Sequence, residues 1–198
     1  MKKLLITLTQ LLILTVFRIF YAGRVNTTVI GEVISTRPVV IAANHVKMLD
    51  PFIIACFLPL MTIFKVFPYN FMVANVYYYQ LWQPIAWLAG CFPAKSRNEA
   101  EKPVRYGVGA GVKTLRQNYS LVMFPEGKRT HKPLEAKPGI SRILDQSDAP
   151  LVLCYIHWDR AGLLRRVNLN LKLASDEVER TNPAAIMQAV YKLGEKNK

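Results

Sequence analysis

Val39-Val40-Ile41-Ala42-Ala43-Asn44-His45-Val46-Lys47-Met48-Leu49-Asp50-Pro51 is a short apolar run that passes into polar residues and ends at a proline. An unbroken apolar run of this length, bounded by turn residues, is what a strand buried on both faces requires. His45 then stands just past the strand, and strand ends in layered α/β domains commonly form sites. A residue before proline avoids the helical region, so Asp50 reads as a helix N-cap and Pro51 as the first helical residue. Residues 45–49 must then form a compact turn that can return the Asp50 carboxylate to the imidazole. A continuous helix would not, since five residues at about 100° each leave the two side chains about 140° apart. A carboxylate on one imidazole nitrogen fixes the tautomer and stabilises the imidazolium, so the other nitrogen can take a proton from an alcohol. The plainer alternative is a histidine at a strand end beside an unrelated N-cap aspartate, and an H-x4-D spacing alone does not decide between them.

The rest of the chain repeats this strand-then-turn grammar. Strands are expected at Thr28–Ile34, Val39–Ala43, Phe71–Ala74, Cys91–Ala94, Leu121–Phe124, Leu151–Ile156 and Val167–Ala174. The last alternates apolar and polar residues, which predicts a half-exposed edge strand. Helices are expected at Pro51–Leu60, Tyr77–Leu88, Pro103–Gln117, Gly139–Gln146 and Pro183–Glu195. Strands and helices interleave without an internal repeat or linker, which indicates one α/β layered domain. At 198 residues the chain is long enough for one substantial core.

Two more strand ends carry chemistry. Leu121-Val122-Met123-Phe124-Pro125-Glu126-Gly127-Lys128-Arg129-Thr130 runs from a strand into Pro-Glu-Gly and a basic pair. Proline stops the ladder and glycine permits an unusual turn, so Glu126 and Arg129 are presented at the strand end. The planar fork of Arg129 suits a phosphate. Gly90-Cys91-Phe92-Pro93-Ala94-Lys95-Ser96-Arg97 ends a strand with two cations, either of which can be a second phosphate ligand. An ordinary polar loop remains the alternative for each. The aromatic residues between, Tyr77-Tyr78-Tyr79, Trp82 and Trp87 among them, suit core packing, an interface or an apolar acyl slot.

At the N-terminus, Lys2-Lys3 precede an apolar run from Leu4 to Ala22, broken by Gln10, Arg18 and a few threonines. A cleaved signal, a spanning helix of about 20 residues and a helix in the membrane interface compete. Arg18 favours a retained anchor over residues 1–24, with the α/β domain in 25–198. Hydrophobic residues make up 52% of the chain and mean hydropathy is +0.16, between a freely soluble domain and a polytopic membrane protein.

Lysine and arginine number 26 against 13 acidic residues, a formal charge of +13. Residues 95–142 hold 11 of the basic and four of the acidic ones, and this cationic segment points to an anionic partner. Aromatic residues cluster before it rather than among its cations, which argues against nucleic acid. Cys56, Cys91 and Cys154 show no metal-site or paired spacing and fit a reducing compartment.

Together these pieces resemble the PlsC-like glycerolipid acyltransferases, the 1-acylglycerol-3-phosphate (lysophosphatidic acid) acyltransferase family, from about Pro38 to Ile156. Asn44-His45 with Asp50 matches the family's N-H-x4-D, and Phe124-Pro125-Glu126-Gly127 with Arg129 matches its F-P-E-G-T-R. Gly90-x-Phe92 and the cation after it resemble the second block. Lys137-Pro138-Gly139 and Ala149-Pro150-Leu151-Val152 resemble the glycine-led helix and fourth block. The resemblance implies a mixed, largely parallel sheet flanked by helices, with an N-terminal helix associated with the membrane. It implies His45 as general base, Asp50 as its orienting partner, Glu126 and Gly127 shaping the acceptor pocket, and Arg129 with Lys95 (or Arg97) on the acceptor phosphate. No cofactor or metal is implied. The donor is acyl-CoA or acyl carrier protein, the acceptor a membrane lipid, and the setting the anionic cytoplasmic face of the inner (plasma) membrane. The expected product is phosphatidic acid from lysophosphatidic acid. Another lyso-lipid, glycerol 3-phosphate or a non-catalytic lipid-binding role are the alternatives. Asn75 for the frequent lysine, Lys128 for threonine, Lys95 for arginine and Cys154-Tyr155 in the fourth block depart from the pattern, and they bear on the acceptor.

Overall fold

A computed structural model describes residues 2–31, 38–74, 78, 83–94, 103–159, 166–174 and 178–195. Its strands are β1 (Val25–Ile30), β2 (Val40–Ala43), β3 (Tyr69–Val73), β4 (Cys91–Pro93), β5 (Ser120–Met123), β6 (Leu151–Trp158) and β7 (Val167–Leu173). They form one sheet in the order β1-β7-β6-β2-β5-β3-β4, parallel throughout except between β6 and β7. The helices are α1 (Lys2–Tyr21), α2 (Asp50–Phe57), α3 (Leu60–Val66), α4 (Gln83–Leu88), α5 (Pro103–Arg116), α6 (Gly139–Ser147) and α7 (Pro183–Glu195).

Successive strand residues point to opposite faces. Val39, Ile41 and Ala43 meet Leu14, Ile53, Ile54 and Val66 in a core beneath α1, α2 and α3. Val40 and Ala42 meet Val112, Ile143, Ile186 and Val190 in a second core beneath α5, α6 and α7. The sheet is therefore covered on both faces, and all of β2 and β5 is buried, which is why β2 and, after Ser120, the rest of β5 are unbroken apolar runs. The expected α/β architecture with a mixed, largely parallel sheet and an N-terminal apolar helix is the one observed.

Several local expectations are corrected. Strand β7 is not an edge, because β1 pairs along it from Val25↔Val167 to Ile30↔Lys172. Its polar alternation has another origin: Asn170 is buried and donates to the Leu193 carbonyl at the end of α7 (2.8 Å), while Asn168 bonds Asn26 and Asp159. Asp50 is not an N-cap. It is the first residue of α2, Leu49 holds the cap position, and no side chain caps the helix. That helix stops at Phe57 instead of Leu60, and a separate helix, α3, follows Pro59. Strand β1 begins at Val25, three residues earlier than expected, and the end expected for it, residues 32–34, lies outside the described residues. Of the helix expected at Tyr77–Leu88, the described residues are Tyr78 and Gln83–Leu88, the latter forming α4.

Helix α1 packs into the domain along one side. Buried Gln10 is a bracket: its Nε2 donates to the Ala89 carbonyl (2.9 Å) and to the Tyr69 carbonyl (2.5 Å), and its Oε1 accepts from the Tyr69 N–H (3.1 Å). Gly90 lies under this bracket at φ +84°, where a Cβ would collide with Gln10 Nε2 and the Tyr69 carbonyl. Arg18 donates to the Cys56 and Leu58 carbonyls (2.7 and 3.0 Å), satisfying acceptors that α2 leaves open at its C-terminus. Gln10 and Arg18, which interrupt the apolar run, are thus groups that dock it. The opposite side exposes Leu4, Leu5, Leu8, Leu11, Leu12, Val16, Ile19 and Phe20, a stripe at helical spacing. By length and composition α1 is long and apolar enough to cross a membrane. The three cysteines are free thiols. Burial pushes Cys56 and Cys91 each up to about 12, and burial together with the nearby Asp50 charge raises Cys154.

Candidate active site

Strands β6, β2 and β5 lie side by side and parallel, so their C-terminal ends converge. Asn44 extends the β2–β6 ladder by one step with its side chain, donating to the Ile156 carbonyl (3.0 Å) and accepting from the Ile156 N–H (2.8 Å). This fixes the point at which the chain leaves the sheet, and His45 follows at once.

The turn expected between His45 and Asp50 is present and is organised by the Asp50 carboxylate. Its Oδ2 accepts from the Val46 and Lys47 N–H groups (2.6 Å each) and lies 3.0 Å from His45 Nδ1. Its Oδ1 accepts from the Trp158 indole N–H at 2.8 Å. Asp50 is 0% exposed. N–H donors on both of its oxygens fix the direction in which this carboxylate faces the imidazole. With Nδ1 turned to Asp50, Nε2 is the imidazole nitrogen left to meet a substrate, and the His45 side chain is 18% exposed.

Phe124, one residue past β5, stacks on the His45 ring with centroids 4.1 Å apart and planes at 21°. The loop after it clasps the His45 backbone from both sides. Glu126 Oε2 accepts from the His45 N–H (3.1 Å), and the Thr130 N–H donates to the His45 carbonyl (2.7 Å). Glu126 also accepts from the Leu134 N–H (3.3 Å) and the Tyr191 hydroxyl. Burial, reinforced by the bond to Glu126, pushes the Tyr191 phenol upward, so it stays a donor. The buried Glu126 carboxylate therefore faces protein donors and acts on the site by holding the loop. Gly127 adopts φ +70°, and a Cβ there would collide with the Lys137 side chain lying across it. Arg129 and Lys128 are exposed beyond this turn. Lys95 and Arg97 lie outside the described residues.

His45 and Asp50 are thus brought together, with Glu126 and Gly127 beside them. Three contributors carry no mark in the sequence that assigns them: Phe124 as a ring support, Tyr191 on Glu126 and Trp158 on Asp50. His157 pairs with Asp159 at 3.2 Å on the exposed opposite side of β6 and is separate from this constellation. Among the described residues no group of three His, Cys, Asp or Glu side chains is arranged to hold a metal.

A buried carboxylate behind an imidazole whose other nitrogen is turned away from it, at the strand ends of a doubly covered sheet, is an arrangement chemically able to take a proton from a hydroxyl. Residues 25–157 match the family model described as Acyltransferase, and the chain belongs to that family. Its fold is PlsC-like. The crystal structure of the 1-acyl-sn-glycerophosphate (LPA) acyltransferase PlsC from Thermotoga maritima aligns with a TM-score of 0.54 at 17% identity, over 100% of this chain and 97% of that one. No curated protein matches the chain. The chain is an O-acyltransferase, as the motif resemblance implied.

Proposed function

We propose that this acyltransferase moves a fatty acyl group from acyl-CoA or acyl carrier protein to the free hydroxyl of lysophosphatidic acid, giving phosphatidic acid. The observation that carries the reading is the His45–Asp50 pair at 3.0 Å, with Nε2 kept for the acceptor. In this mechanism Nε2 takes the hydroxyl proton as the oxygen attacks the thioester carbonyl. The new C–O bond forms, the C–S bond breaks, and the imidazolium returns its proton to the leaving thiolate. Arg129, with Lys95 or Arg97, grips the acceptor phosphate and so holds the hydroxyl in reach of the base. The Thermotoga maritima protein of like fold carries an LPA acyltransferase name, which supports this acceptor. The exposed apolar stripe of α1 rests in the lipid on the anionic cytoplasmic face, where the acceptor resides.

The test is acyl transfer by the detergent-purified protein, offering acyl-CoA and acyl carrier protein against a panel of lyso-lipids and glycerol 3-phosphate. Transfer to lysophosphatidic acid, lost in His45→Ala and weakened mainly in KM by Arg129→Ala, is the expected outcome. Transfer only to an acceptor without phosphate would overturn the acceptor, and full activity in His45→Ala would overturn the base.

A further inference from the structure

We propose that Trp158 is a positioning residue for the catalytic pair, holding the Asp50 carboxylate so that Oδ2 stays aimed at His45 Nδ1; the catalytic part of this inference rests on the function proposed above. The torsion that turns an aspartate carboxylate is soft and broad. The Val46 and Lys47 N–H groups donate to Asp50 Oδ2, His45 Nδ1 lies 3.0 Å from the same oxygen, and all three come from one short turn. They set where Oδ2 sits but leave the carboxylate free to rock about it. The Trp158 indole N–H at 2.8 Å is the hydrogen bond to the other oxygen, and it arrives from a different element, the last residue of β6. Two anchors from two directions fix the carboxylate plane, which one turn alone cannot do.

The indole is itself held on both sides. Lys47 Nζ sits 4.2 Å from the ring centroid, and the ring edge meets Tyr21 with centroids 6.4 Å apart and planes at 81°. Tyr21 stacks with Phe17, and Phe17 with Phe52, two residues after Asp50 on α2. The contacts therefore close a circuit through α1, α2 and β6 that contains the catalytic aspartate. A tryptophan used only for packing would not need its one polar atom directed at a fully buried carboxylate, and a donor pointed there changes what the carboxylate does to the imidazole.

The experiment reads the His45 tautomer directly. The full chain is purified in detergent with 15N-labelled histidine, and spectra are taken near pH 8, with His45→Ala assigning the signal among the three histidines. The wild type shows neutral His45 with its proton on Nδ1. In Trp158→Phe the Nε2–H tautomer grows in, while kcat falls about tenfold and KM stays within about twofold, since the wrong tautomer cannot serve as base. Should Trp158→Phe fail to fold, replacing Trp158 with benzothienylalanine keeps the ring shape and removes only the N–H donor. An unshifted Nδ1–H tautomer in either folded variant would overturn the positioning role, even with the enzyme active. A tautomer shift in a protein that transfers no acyl group to any acceptor would leave the positioning role standing and overturn the proposed reaction.

Discussion

At the residue scale the site is a set of hydrogen bonds that leave one atom, His45 Nε2, facing outward. Asp50 does two jobs with one carboxylate, closing the turn through the Val46 and Lys47 N–H groups and orienting the imidazole. Asp50→Asn separates them badly. An amide has one acceptor oxygen, so either the turn or the Trp158 N–H must face an NH2 group. The expected outcome is a fall in kcat of about 10²- to 10⁴-fold and a loss of about 1–3 kcal/mol of stability, checked by steady-state kinetics and thermal unfolding in detergent. A variant with lowered stability but wild-type kcat would mean that Asp50 serves the turn alone. His45 and Asp50 were legible in the sequence because they share one turn, and proline after Asp50 constrains that turn locally. Trp158 was not legible, because it reaches Asp50 only through the register of β6 on β2, Val40 against Leu151, which nothing local specifies.

At the element scale the same division holds. Buried parallel strands are readable as apolar runs, since both faces demand apolar side chains, and β2, β5 and β6 fall where expected. Strand β7 was misread because its asparagines look solvent-directed, whereas Asn170 is a buried donor to the end of α7. The N-terminal helix shows the complementary case. Gln10 and Arg18 interrupt its apolar run, and the structure makes them its docking groups, Arg18 in particular closing the C-terminus of α2. Arg18→Met keeps the length and apolar stem and leaves the Cys56 and Leu58 carbonyls without their charged donor. It is expected to destabilise the fold by about 1.5–3 kcal/mol, read as a lowered thermal midpoint. It should also make the helix more hydrophobic, so membrane affinity rises or holds while stability falls. Unchanged stability would show that solvent or lipid headgroups replace the arginine at no cost.

At the scale of the whole molecule, charge and apolar exposure divide the work of reaching a membrane. In the membrane setting proposed above, the formal charge of +13 draws the protein to anionic lipid, at about 1 kcal/mol for each cation near the surface, but salt screens that attraction. The stripe on α1 is insensitive to salt and supplies the burial, at about 1.5–3 kcal/mol for each large side chain removed from water. On α3, Leu60 and the 74% exposed Phe64 add to the apolar surface. Because the inner side of α1 is tied down by Gln10 and Arg18, the helix can lie in lipid while its last turn still holds Tyr21 against Trp158. Replacing Leu8, Leu12 and Ile19 together by glutamate changes only outward-facing residues. We expect binding to anionic vesicles at high salt to fall by more than tenfold in a co-sedimentation assay, with the thermal midpoint unaltered and kcat retained on acceptor dispersed in detergent. Undiminished high-salt binding by this variant would remove α1 as the lipid contact and shift that role to the surface around Phe64. Loss of detergent activity together with binding would instead mean that the stripe supports the site's own structure.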